Sequence, residues 1–351
     1  MPRFRLLLAV TLAVAMCAAG LTAFAGPAAA YHRIQKGIAY TGYWGDAYAG
    51  AASDRSLSEL RATGADWASM LVTGYQPSVD STTIDRTSDR TPTDASLIRA
   101  IRRARALHLS VMLKPHVDLS EDPAHWRGEI GQSFGDVEWA AWFASYRAFI
   151  LHYAQLATDT DCEQFSVGCE LDSTVAHEAE WRAIIADVRS VYHGALTYAD
   201  DMVQTAPDAI AWWDAVDLIG QDAYPTLTDK PHPTVADLLR GWRTSYMPKL
   251  KRLAERWGKP VILTEIGYRS VHGGAQDPWS WQRQGPPDMT VQARAYEAAL
   301  TAVAERSWIR GMYWWQWEPD PNVGGPRDTG YSPHDKPAEK VLHRWYADRL
   351  P

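Results

Sequence analysis

Cysteine is nearly missing from this chain, with three in 351 residues. Cys17 lies in the leading segment, and Cys162 and Cys169 are seven positions apart. Along an extended segment that spacing spans roughly 23 Å, far beyond bridging reach. A disulfide framework is therefore excluded unless the chain doubles back, and two isolated thiols lack the spacing of a zinc site. A basic block is also missing: 35 basic against 42 acidic residues give a net charge of −7. Nucleic acid and anionic membrane are poor partners for such a surface. Beyond the first thirty residues no run is apolar enough to cross a bilayer. No glycine-rich nucleotide fingerprint follows any strand, and no linker, low-complexity tract or solenoid repeat is visible. Phenylalanine is scarce, six residues against 17 tryptophans and 16 tyrosines. A core that merely needed bulk would use more phenylalanine. Indole and phenol rings offer an apolar face with a polar edge, which suits both packing and stacking on sugar rings.

The leading segment reads as an export signal. Arg3 and Arg5 form its basic start, residues 6–16 an apolar stretch, and Ala28, Ala29 and Ala30 a small-residue cleavage site. Residues 1–30 are thus expected to be removed, leaving residues 31–351 as one secreted domain. Cys17 raises the alternative of a lipid anchor, but the bulky Met16 stands where such sites take a small residue.

Strand, loop and helix then alternate. Short β-branched or apolar runs fall at residues 37–44, 67–74, 110–118, 164–171, 195–201, 217–224, 261–267 and 309–317. Helical periodicity fills the intervals at 53–64, 93–108, 136–158, 176–192, 234–257, 291–306 and 336–350, with a short helix near 209–215. Pro248 is expected to kink or split the helix that Thr234 and Asp237 open as a capping box. Eight such units in order predict an α/β fold, a single (β/α)₈ TIM barrel, whose chemistry sits at the C-terminal strand ends. A doubly wound open sheet is the alternative. The loops after strands two, three, seven and eight are the longest, and the seventh carries Trp279 and Trp281.

Two of the strands end in a glutamate, Glu170 on the fourth and Glu265 on the seventh. A carboxylate at the tip of a buried strand is costly unless it is paired, hydrogen-bonded or lining a cavity. A pair of carboxyl groups is what glycoside hydrolysis requires, one to protonate the leaving oxygen and one to attack or to activate water. Alternation along a strand places Lys114, His116 and Asp118 on one face of the third, Asp222 with Tyr224 on the sixth, and Tyr313, Trp315 and Trp317 on the eighth. The same parity groups Glu170 with Ser166 and Gly168, and Glu265 with Val261 and Leu263. Candidate substrate contacts are Trp44, Lys114, His116, Asp118, Tyr198, Asp222, Tyr224, Trp315 and Trp317, with Trp126 as a further outer platform. Plainer readings stand beside these. Each glutamate could be the partner of a structural arginine or lysine, the tryptophans could be core, and Tyr224 could be a turn residue before Pro225. His116 and Asp118 could cap a loop, or hold zinc or manganese, although no second histidine cluster at a strand end supports a metal.

Taken together, Leu113-Lys-Pro-His-Val-Asp118, Phe165-Ser-Val-Gly-Cys-Glu170-Leu171, Ile262-Leu-Thr-Glu265-Ile-Gly267 and Tyr313-Trp-Trp-Gln-Trp317 resemble glycoside hydrolase family 113. So does the closing stretch Gly330-Tyr-Ser-Pro-His-Asp-Lys-Pro-Ala-Glu-Lys-Val-Leu342. The resemblance covers nearly the whole chain after residue 30. It implies a barrel with catalytic glutamates on strands four and seven, a retaining mechanism and β-1,4-mannan as substrate. Carried over, Glu170 matches the acid/base and Glu265 the nucleophile. Many relatives in that clan place asparagine before the acid/base, where this chain has Cys169. The expectation is an exported retaining endo-β-1,4-mannanase, monomeric, with a polysaccharide or oligosaccharide substrate and neither cofactor nor metal. Xylan, glucan or galactan hydrolysis, a sugar-binding barrel without activity, and a metal-dependent hydrolase are the alternatives.

Overall fold

The computed structural model describes residues 34–201, 209–348 and 350. The expected export signal, its cleavage site and Cys17 lie outside the described residues. Eight parallel strands close into a barrel in chain order. They are β1 (Gln35–Tyr40), β2 (Trp67–Gln76), β3 (Ser110–Leu119), β4 (Gln164–Cys169), β5 (Ala195–Asp200), β6 (Leu218–Ala223), β7 (Val261–Ile266) and β8 (Ile309–Trp317). The predicted TIM barrel is therefore the observed fold, and β1 pairing with β8 rules out an open sheet.

The outer ring comprises α1 (Ala51–Ala62), α2 (Asp94–Ala106), α3 (Asp136–Asp159), α4 (Glu178–Val191), α5 (Val235–Gly241), α6 (Met247–Trp257), α7 (Met289–Ala304) and α8 (Pro337–Asp348). Thr93 caps α2 through the backbone N–H of Ser96, and Thr234 and Asp237 form the expected reciprocal box at α5. The long helix expected across residues 234–257 is divided. A π-helical turn, Trp242–Tyr246, separates α5 from α6, and Pro248 sits in the first turn of α6. Proline has no N–H to continue the ladder, so the break falls just before it. Between β5 and β6 the short helix is a 3₁₀ turn at Trp213–Ala215.

Aromatic residues fill the layer between barrel and helices. Trp142 stacks on Tyr146, Trp181 on Trp212, and Tyr296 on Trp314 at a centroid distance of 3.6 Å, all of them buried. Much of the tryptophan excess therefore belongs to the core. The lower end of the barrel is closed by amides: Gln35 donates to Gln164 Oε1 at 3.1 Å and accepts from Tyr313 Oη at 2.7 Å. Tyr313, grouped by parity with Trp315 and Trp317, is part of this floor. Its ring lies against Gly37, where a Cβ would stand 2.2 Å from Tyr313 Cδ1. Gly37→Ala should therefore cost about 1–3 kcal/mol through overpacking, read as a lower urea midpoint at unchanged slope. An unchanged midpoint would show that the ring moves aside freely.

Candidate active site

Alternation holds along β2 and β3 and is interrupted elsewhere, where the register slips between β1 and β8, β4 and β5, β6 and β7, and β7 and β8. Ser166 pairs with Thr197 but Cys169 with Ala199, so β4 carries an extra residue. A Cβ at Gly168 would meet Tyr198, Trp181 and Tyr146 in the helix layer. Gly168 thus faces outward, contrary to the parity that grouped it with Glu170. Likewise Gln221 pairs with Leu263 but Asp222 with Glu265, leaving Thr264 as the additional residue on β7. Thr264 and Glu265 are neighbours, yet both reach interior polar groups. On β8, Trp314 pairs with Ile38 and Trp317 with Tyr40. Such bulges re-aim side chains, as they commonly do at barrel rims beside functional sites.

The groups brought together centre on Lys114, whose side chain is 1% exposed. Its ammonium donates to Asp222 Oδ1 and Oδ2 at 3.0 Å each and to Glu265 Oε1 at 2.6 Å. Tyr224 donates to the other oxygen of Glu265 at 2.7 Å. Asp222 also accepts from Thr264 Oγ1 at 2.7 Å and from the Cys169 thiol at 3.3 Å. His116 Nε2 lies 3.6 Å from Glu265 Oε1, and its ring stacks against Trp315 at 6.2 Å. Glu170 stands just beyond β4 at φ 50°, in the left-handed region that non-glycine residues rarely enter. Its backbone N–H donates to Ala199 at 2.8 Å, and its side chain is 13% exposed. Carboxylate oxygens of Glu170 and Glu265 each lie within 4.8 Å of the Cys169 sulfur.

One further residue had no mark in the sequence. Arg127, in a 3₁₀ turn at Arg127–Glu129 of the β3–α3 loop, donates to Glu170 Oε2 at 2.8 Å and to Asp118 Oδ2 at 3.3 Å. Only its place in a long loop after a barrel strand hinted at it. Tyr331, from the closing Gly330-Tyr-Ser-Pro stretch, packs edge-on against Tyr224 at 6.1 Å.

Not every candidate is here. Tyr198 is fully buried among Trp181, Trp212 and Trp213, and its hydroxyl accepts from the Leu171 N–H. It supports the chain behind Glu170 and presents nothing to the mouth. Trp317 is likewise corrected: the slip on β8 turns it outward, where its indole donates to Ser56 of α1 and packs on His334. Trp315 remains half-buried beside His116. Trp44 is 44% exposed, and the half-exposed Trp126 covers its own turn at Gly128. Asp118 is tied to Arg127.

The electrostatics separate the two glutamates. Burial pushes the Glu170 carboxyl well above the usual range; Arg127 opposes this, while Asp222 and Glu265 add to it. Burial and Asp222 lift Glu265 less, because Lys114 and Tyr224 donate to its charged form. Of the two, Glu170 is pushed further toward its protonated form. Burial, Lys114 and Arg127 push His116 well below its ordinary value, so its imidazole is neutral. Two sets of donor atoms lie close enough to suggest a cation, His116 with Cys169 and Glu265, and Cys169 with Glu170 and Asp222. The Lys114 ammonium already supplies positive charge between them; burial pushes the Cys169 thiol up, against the pull of Lys114 and with the help of Asp222, Glu170 and Glu265.

A closed eight-stranded barrel with two unlike carboxyl groups and an indole at its mouth has the form of a glycoside-cleaving enzyme. Residues 38–336 match Glycoside Hydrolase Family 113, and the chain belongs to that family. A GH113 β-1,4-mannanase solved as a complex shares 29% identity at TM-score 0.80, over 90% of this chain and all of that one. A GH113 β-mannanase from Alicyclobacillus acidocaldarius in complex with ManMIm shares 30% at TM-score 0.79, over 91% and 98%. A family 5 mannosidase from Rhizomucor miehei, at 9% identity and TM-score 0.63, shares the fold. No match to the chain was found among curated proteins. This protein is a glycoside hydrolase with a carbohydrate substrate.

The raised carboxyl has a consequence for stability. With a folded pKa above the unfolded value of about 4.3, Glu170 contributes most below pH 4, and that contribution is lost as pH climbs through the folded value. Glu170→Gln should therefore raise Tm at pH 7 to 8 while leaving it unchanged near pH 4. An equal Tm difference at both ends of the range would show that Glu170 is not held neutral.

Proposed function

We propose that this protein is a retaining β-1,4-mannanase in which Glu265 is the nucleophile and Glu170 the acid/base. The observation that carries the reading is the asymmetry of the two carboxyl groups. Glu265 has an ammonium and a phenol donating to it, which favours the ionised form needed to attack an anomeric carbon. Glu170 keeps a proton that it can give to the leaving glycosidic oxygen. Attack by Glu265 forms a glycosyl ester as the C–O bond breaks and the aglycone leaves with the proton of Glu170. Glu170, now charged beside Arg127, then takes a proton from water as that water opens the ester. The raised pKa of Glu170 thus serves the first step, and the Arg127 contact serves the second.

The plainer reading, each glutamate as the partner of a structural cation, accounts for the ion pairs and nothing else. It gives no reason to gather Asp222, Glu265 and Glu170 at one barrel mouth, where each raises the proton affinity of another. Mannan is favoured over xylan, glucan or galactan because the similar GH113 structures are mannanases at 28–30% identity. We propose that Trp315 and Trp44 supply aromatic contact to the chain, and that His116, Asp222 and Asp118 orient sugar and carboxylates. Export is supported by the basic-then-apolar start and the alanines ending at Ala30, and we take the secreted enzyme to act as a monomer.

Glu265→Ala should abolish mannan hydrolysis while the protein remains folded, and Glu170→Ala should lower kcat by about 10²–10⁴-fold. Turnover near normal in the first variant would end the assignment. Proton NMR of mannan oligosaccharide hydrolysis should show the β anomer first; an α anomer first would replace double displacement with inversion. A panel of mannan, xylan, glucan and galactan decides the substrate.

A further inference from the structure

Outside the carboxylate cluster, three side chains converge that the glycosidase chemistry does not use. His232 lies in the β6–α5 loop, His272 in the β7–α7 loop, and Asp288 caps α7. One donor atom from each lies within 4.8 Å of the others. The two imidazole rings meet at a centroid distance of 4.7 Å, and His232 Nδ1 stands 3.7 Å from Asp288 Oδ2. That is too long for a hydrogen bond. It is close to the donor–donor edge of roughly 3.4 Å that a tetrahedral zinc ion with bonds near 2.1 Å requires. Among the described residues neither imidazole hydrogen-bonds to the protein.

Two of the three arms are held in place beforehand. The β7–α7 loop returns on itself as a short antiparallel neck, with the Val271–Pro287 bridge and backbone bonds from His272 to Pro286 and from Asp288 to Ser270. Oδ1 of Asp288 accepts from Thr290 and Val291 N–H, which leaves Oδ2 turned toward His232. The third arm, His232, is exposed, but its loop is tied to the others by Gln276 donating to Asp229 and by Arg294 donating to Pro233. Two histidines and one carboxylate form a donor set suited to zinc.

We propose that His232, His272 and Asp288 bind one zinc ion that fastens the β6–α5 loop to the β7–α7 loop. The first loop begins beside Tyr224 and the second follows Glu265, so the ion braces the two segments that leave the nucleophile and its phenol donor. It holds also if the sugar chemistry proposed above fails, since neither Glu170 nor Glu265 contributes a ligand.

The test is zinc titration of the full metal-stripped chain by calorimetry and by equilibrium dialysis with metal analysis, with Tm measured at each zinc concentration. The wild type should take up one equivalent and gain Tm with added zinc. His232→Ala and His272→Ala should each weaken binding at least tenfold and remove the Tm gain. Asp288→Asn keeps a good helix cap and should also weaken binding, so lost capping cannot imitate the result. Absence of binding at 1 mM zinc, or equal affinity in all three variants, would overturn the proposal. Zinc that persists in the variants and inhibits hydrolysis would place the metal at the carboxylate cluster and overturn it equally.

Discussion

A buried ammonium between two carboxylates is the constraint on which the mouth of this barrel depends. Lys114 touches Asp222 and Glu265 at once and is almost fully sealed from solvent. Burial works against its charge, but Asp222 and Glu265 hold it firmly protonated. Removing one member of such a group leaves an uncompensated charge in low dielectric, at a cost of roughly 3–5 kcal/mol. A hydrophobic cluster of the same volume would serve stability as well or better. The network is therefore better explained by what it does to Glu265: Lys114 and Tyr224 donate to its charged form, against burial and Asp222, and fix its two oxygens in place.

Around that centre the two glutamates are treated differently by what donates to them. Glu265 meets two donors on two oxygens, while Glu170 meets one guanidinium shared with Asp118. Arg127 is set in a turn of three residues, so the acid side of the mouth is built from a loop and the nucleophile side from strands. That division fits a barrel whose strands fix the reacting carboxylate while its loops adjust the environment of the proton donor.

Strict alternation predicted the contents of the mouth well and their arrangement poorly. Lys114, His116 and Asp222 occupy the positions that parity assigned, because β3 and the start of β6 run in regular register. Gly168 and Trp317 do not. A single extra residue in β4, β7 or β8 reverses the facing of everything beyond it, and no local pattern in these segments announces the slip. The tryptophan excess was read in part as sugar platforms, yet Trp142, Trp181, Trp212 and Trp314 are packed between barrel and helices. Composition counts rings without saying which face of a strand or helix carries them.

By itself the sequence determined the barrel, its order of strands and helices, the capped start of α5, the break before Pro248, and two glutamates at the tips of β4 and β7. These follow from periodicity and local backbone chemistry, which act over a few residues and are written in them. Tertiary structure alone decided that Arg127 reaches Glu170, that Thr264 and Cys169 turn toward Asp222, and that Trp317 turns away. Those outcomes depend on register slips between neighbouring strands and on the path of a loop across the barrel mouth. Such distances are set by closure of the whole sheet, which no short stretch of the chain encodes.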